Sequence, residues 1–292
     1  MLIAFGVGGA FLGSLIAIPL VSLMSGKSLL FIAKNLNTLI GNPEYLREMQ
    51  VLQSISAVFT FLIPTLVVAY LLSHKPLQLS GLKGEILGRQ WILCVFIIAG
   101  GLALSSALGY FTYKLPFPVN WRILFDRLED NYAQAASGII SLDSVGELIL
   151  SIGVLAAIPA ICEELFFRAG LQNYLYRGTG RLWFSVIVVS IIFSAVHFSV
   201  YGFLSRVALG VVLGLLYQYS GRIWLSILAH FINNAAAVVL MYVQRSSGKP
   251  MQDILNDRDG SYLGFLAIPI IILLFIQYRK QSSAATTLTD GI

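Results

Sequence analysis

Three short clusters hold residues that could do chemistry: Glu163, Glu164 and Arg168; Phe193 and His197; and His230, Asn233 and Asn234. Each lies in an otherwise apolar run, where an ionisable side chain costs about 2.5–3.5 kcal/mol. Glu164 and Arg168 have the spacing and order of a helical ion pair, so Arg168 is expected to hold Glu164 ionised. Successive helical residues point about 100° apart, so Glu163 faces elsewhere and has no partner close in sequence. An unpaired carboxylate suits a general base or acid. Pro159, four residues before Glu163, is expected to kink the helix and open room beside it. Phe193 and His197 share a helix face. His230 and Asn234 also project together, with Asn233 the weaker alternative.

A carboxylate and an imidazole can activate water between them, while a second imidazole and an amide N–H donate to a developing oxyanion. Such a set hydrolyses an amide without a Ser or Cys nucleophile. The same Glu163, His197 and His230 could instead hold zinc, with a metal-bound water attacking. There is no His-Glu-x-x-His and no third histidine within reach, so the metal-free route is favoured and no cofactor is expected. His74, beside Lys75 at the end of an apolar run, reads as interfacial. A single intramembrane histidine is usually a satisfied core residue. Two of them with an unpaired Glu and an Asn argue for a site.

The elements that must position these groups follow from composition. Of 292 residues 57% are hydrophobic and 11% are charged, against roughly 25% charged in a soluble domain. Too few charges are present to cover a soluble fold of this size. A cytosolic enzyme, a disordered chain and a nucleic-acid-binding domain are excluded. The net charge of +5 is spread as single Lys and Arg between apolar segments, as in loops that face lipid headgroups. The fold expected is all-α, a polytopic membrane helical bundle of about eight transmembrane helices. The candidate spans are 2–23, 51–72, 91–112, 147–175, 182–200, 203–219, 222–243 and 262–278. Residues 1–146 hold three spans with amphipathic surface segments, 147–243 a catalytic core of four, and 244–292 the last span and a polar tail, read as mobile from Gln281.

Gly180 and Ser220-Gly221 mark tight helical turns. Glu163 and His197 are each 17 residues from Gly180, about 25 Å along a helix, so a hairpin there brings them to one depth. His230 is nearer its own turn, so the site converges if the first hairpin extends beyond the bilayer. Trp121, Leu124, Phe125, Leu128 and Tyr132 recur at helical spacing among charges, predicting an amphipathic surface helix over 120–136. Leu29, Ala33, Leu36 and Ile40 indicate a second, weaker one. Cys94 and Cys162 lie in apolar segments and read as buried thiols rather than a disulfide. Met1 to Leu23 has no Lys or Arg before Lys27 and reads as a first span rather than a cleaved signal. Basic density in the shorter even-numbered loops favours cytoplasmic termini, although Lys27 and Lys34 argue the opposite. The location expected is a bacterial-type plasma membrane.

Glu-Glu-x-x-x-Arg, Phe-x-x-x-His and His-x-x-x-Asn on successive spans resemble the CPBP (Abi) family of intramembrane proteases, over roughly 147–243. That family includes the endopeptidases that trim prenylated CAAX proteins and many bacterial members. The resemblance implies that Glu163 and His197 activate water, that His230 and Asn234 form the oxyanion site, and that Glu164, Arg168 and Phe193 support them. The amphipathic segment and the apolar bundle suggest a membrane-embedded or lipidated protein substrate in the bilayer, and the absence of a basic run argues against nucleic acid. Two other readings stand beside that of a protease. One is a silent scaffold or immunity-type protein of the same fold. The other is a proton-coupled transporter, which lacks an inverted repeat.

Overall fold

The computed structural model describes residues 1–257 and 259–289, and every regular element among them is helical. In chain order the main helices are α1 (Leu2–Ser25), α2 (Leu29–Leu39), α3 (Pro43–Leu72), α4 (Gly88–Lys114), α5 (Val119–Ser137), α6 (Val145–Thr179), α7 (Leu182–Ala195), α8 (Phe203–Ser220), α9 (Ile223–Ser246), α10 (Met251–Leu255) and α11 (Tyr262–Ser282). Seven of these are long and apolar enough to cross a membrane: α1, α3, α4, α6, α8, α9 and α11. The protein is an integral membrane bundle, with side chains such as Phe11, Ile92 and Leu273 exposed on its lipid-facing surface.

The expectation of eight spans is corrected at the fifth. α7 has 14 residues, about 21 Å of helix, which is short of a 30 Å hydrocarbon core. It stops at Ala195, and His197 lies in the turn beyond it rather than in a span. Hydropathy did not reveal this stop because residues 196–200 remain largely apolar. At the other end, the polar tail read as mobile continues as helix to Thr289, and residues 290–292 lie outside the described residues. The surface helices expected over 120–136 and near residues 29–40 are present as α5 and α2.

α6 is 35 residues long, about 50 Å, so it spans the bilayer with length to spare. That excess is what the converging hairpin required. Gly180, with φ 68°, caps α6, and Gly221, with φ 64°, caps α8. Two widened π turns, Val58–Leu62 in α3 and Gly153–Ala157 in α6, each end just before a proline, Pro64 and Pro159. A proline ring crowds the carbonyl four residues back, and the wider turn relieves that crowding.

One core joins α4, α8, α9 and α11 through Ile97, Leu213, Leu225 and Tyr278. A second joins α1, α3, α6 and α7 through Leu2, Val68, Phe167 and Phe193. α1 docks on α3 along a face of small residues, since lipid supplies no hydrophobic drive and packing depends on close approach. A Cβ on Gly9 would overlap the Phe59 carbonyl oxygen, whereas one on Gly8 would meet open space. Gly9→Ala is therefore expected to cost about 1–3 kcal/mol, read as a lower thermal midpoint in detergent. Gly8→Ala should leave the midpoint unchanged or raise it. Equal midpoints for the two variants would refute this account of the α1–α3 contact.

Candidate active site

The three clusters converge on one cavity of about 550 Å³, whose walls include Glu163, His197, His230, Asn233 and Asn234. Its floor and rim are not confined to 147–243: Met49 and Leu52 of α3, Ser105 of α4 and Tyr132 of α5 also line it. The two adjacent carboxylates part as helical geometry requires. Glu163 is partly exposed to the cavity, and its Oε2 is buried with no hydrogen-bond partner. Glu164 is fully buried on the other side of α6.

Glu164 forms the expected ion pair with Arg168, Oε1 to Nη1 at 3.2 Å. The same Oε1 also meets His230 Nδ1 at 2.9 Å, a contact across 66 residues of sequence. Glu164 therefore links Arg168 to His230. With Nδ1 occupied, the remaining nitrogen of His230 is Nε2. Arg168 is buried too, stacked 4.5 Å from the Phe193 ring centroid, with Nη2 directed to the Gly210 carbonyl at 3.4 Å. Phe193 lies edge-on to both imidazoles, 5.1 Å from His197 and 5.8 Å from His230. It sets the spacing of the two rings by packing.

His197 Nδ1 lies 2.7 Å from the Phe193 carbonyl oxygen, which can only accept. That bond puts the proton on Nδ1 and leaves Nε2 with its lone pair. Asn234 Nδ2 donates to the Leu155 carbonyl at 3.2 Å, and Asn233 Nδ2 donates to Asn234 Oδ1 at 3.1 Å. Leu155 is four residues before Pro159, which has no N–H to offer that carbonyl. The proline that opens α6 thus creates the acceptor that holds Asn234. Both asparagines reach the cavity, and each primary amide retains a second N–H.

The turn that carries His197 is held from outside the three clusters. Phe198 has φ 52°, a left-handed conformation that a bulky residue adopts at a cost. Glu129 of α5 accepts from Ser199 Oγ at 2.9 Å and from Tyr201 N at 2.9 Å, and Tyr201 Oη donates to Asp126 at 2.7 Å. Two acidic residues of the surface helix thereby fasten the turn. Sequence reasoning placed them on a solvated polar face. Their i,i+3 spacing is visible in sequence, but their partners lie 70 to 75 residues away. Arg206, in the first turn of α8, lines the same cavity and was also passed over. A lone arginine in an apolar span was signal enough to mark it.

Among the described residues, no three His, Cys, Asp or Glu side chains are grouped closely enough to hold a metal ion. Glu163, His197 and His230, the set considered for zinc, share the cavity without forming such a group. Cys94 and Cys162 are both buried free thiols.

Residues 145–236 match the family described as "Type II CAAX prenyl endopeptidase Rce1-like". The chain is 27% identical to "Putative membrane peptidase YdiL" of Bacillus subtilis (strain 168) over 192 residues, 64% of this chain and 72% of that protein. It is 33% identical to "Uncharacterized protein YpbD" of the same organism over 85 residues, 28% of this chain and 40% of that one. No solved structure matches the chain. The matched segment holds all three clusters, the Glu164–Arg168–His230 link and most of α6 to α9. By that segment and its motifs, residues 145–236 are similar to the type II CAAX prenyl endopeptidase-like family.

Proposed function

We propose that the protein is an intramembrane endopeptidase that hydrolyses a peptide bond of a membrane-embedded or lipidated substrate. The observation that carries this reading is the unpartnered Glu163 carboxylate oxygen, set in a cavity shared with two imidazoles and two amides. A water held between Glu163 and His197 Nε2 gives its proton to Glu163 as its oxygen attacks the scissile carbonyl carbon. The carbonyl π electrons move to oxygen. That oxyanion accepts from His230 Nε2–H and from the second N–H of Asn234. For His230 to donate there, its ring must carry both protons, and the Glu164 carboxylate beside Nδ1 compensates that charge. Glu163 then returns the proton to the leaving nitrogen as the C–N bond breaks. No step needs a metal, so activity is expected to survive chelation by EDTA.

The test is a comparison of membrane peptidomes from a knockout host expressing wild type or Glu163→Ala at equal levels. New protein termini seen only with wild type would establish a Glu163-dependent protease and identify its substrates. No difference, with both forms rescuing the phenotype, would favour the scaffold reading.

A substrate identified this way also tests the turn that holds His197. Glu129→Ala removes the acceptor for Ser199 and Tyr201 while leaving every residue of the cavity chemistry in place. A shift of about 1 Å at a reacting group can cost about 10²-fold. We expect kcat to fall by about that factor with KM within about twofold, and Glu129→Gln, which keeps one acceptor oxygen, to recover part of it. Unchanged kcat in Glu129→Ala would show that the turn holds itself.

A further inference from the structure

Arg206 is the one cavity residue whose charge the chemistry above leaves unused. Its Nε and Nη2 are buried, and neither has a hydrogen-bond partner. No ion pair or hydrogen bond of its guanidinium occurs among the described residues, and its one marked contact is with the Tyr132 ring, 5.3 Å away. Arg168, buried behind the cavity wall, has Glu164. The acidic residues in an adjoining cavity of about 330 Å³ are Glu129, Asp257 and Asp259, and none forms an ion pair with Arg206 among the described residues. Glu129 accepts from Ser199 and Tyr201, and Asp257 accepts from Lys249 and from the Asp259 amide. A largely buried guanidinium without a counter-charge is costly, and the cost is recovered when an anion arrives.

We propose that Arg206 is a specificity-determining residue that binds a carboxylate of the substrate. The planar fork of a guanidinium fits a carboxylate through paired N–H donors. A cavity of about 550 Å³ holds only a few residues of chain, so that carboxylate lies within a few residues of the bond beside Glu163. Its source is either the free end of the substrate chain or an Asp or Glu side chain near the cleaved bond. Gly202 makes the position available, because a Cβ there would meet the guanidinium nitrogens at 2.6 Å. The proposal rests on the reading of this cavity as a substrate cleft.

The test uses the full chain in vesicles of neutral phosphatidylcholine, so that no anionic headgroup competes. The probes are N-acylated ten-residue peptides with randomised interiors, made with a free or amidated C-terminus and with Asp or Asn at single positions. Binding is measured on Glu163→Gln protein, and cleavage on wild type. We expect the carboxylate member of at least one carboxylate/amide pair to bind about tenfold tighter or more, that advantage to vanish in Arg206→Gln, and Arg206→Lys to keep part of it. Loss of preference on amidation identifies the chain end as the source; loss on Asp→Asn identifies a side chain. Equal binding of every pair, or a preference that persists in Arg206→Gln, overturns the proposal, and the first of these needs no arginine variant to fold. Peptides that bind with Arg206-dependent preference but are never cleaved by wild type would overturn the protease reading alone.

Discussion

Glu163→Ala is expected to lower cleavage by about 10²- to 10⁴-fold while the protein keeps its fold. The loss follows from the role proposed for the carboxylate, which takes the proton from water and returns it to the leaving nitrogen. The retained fold follows from what Glu163 lacks. Among the described residues it makes no hydrogen bond or ion pair, and one of its oxygens is buried without a partner. Removing a buried polar group that nothing satisfies relieves a desolvation cost rather than breaking a contact. The thermal midpoint in detergent should therefore be unchanged or higher. Full activity of the variant on an identified substrate would sink the mechanism, and a large drop in midpoint would show that the carboxylate holds the fold.

The opposite outcome is expected one residue later. Glu164→Ala leaves Arg168, which is 1% exposed, without its counter-charge and His230 Nδ1 without its acceptor. Breaking a buried ion pair from one side costs about 3–5 kcal/mol. Little folded protein should be recovered, or its midpoint should fall steeply. Removing the other charge as well separates the two duties of Glu164. Glu164→Ala combined with Arg168→Met should regain most of the stability, because no uncompensated charge remains. It should not regain activity, because His230 still lacks the carboxylate that orients it. A double variant that recovers both would reduce Glu164 to a partner of Arg168.

The i,i+4 pair Glu164–Arg168, the separation of Glu163 from Glu164 and the turn at Gly180 were all legible because each depends on neighbours within a few residues. Backbone periodicity sets those relations before any tertiary contact forms. The amphipathic helix over 119–137 was legible for the same reason. The end of α7 was not. Residues 196–200 are nearly as apolar as those before them, so hydropathy continues where the helix stops. What turns the chain there is a left-handed Phe198, followed by Ser199 and Tyr201 bound to Glu129 from α5, and neither local pattern predicts the other.

The sequence by itself determined the membrane class, the set of spans apart from α7, and some of the residues that line the cavity, Glu163, Phe193, His197, His230, Asn233 and Asn234 among them. Apolar length and ionisable residues misplaced in apolar runs are sufficient for that. Only the tertiary structure decided which atom serves which partner. His230 turns Nδ1 to Glu164, Asn234 reaches the carbonyl left by Pro159, Glu129 fastens the turn of His197, and Arg206 is left without an anion. Each of these depends on the angle and depth at which separate helices pack. Those are set by side-chain volume and close backbone approach across the bundle, which no residue spacing along one helix encodes.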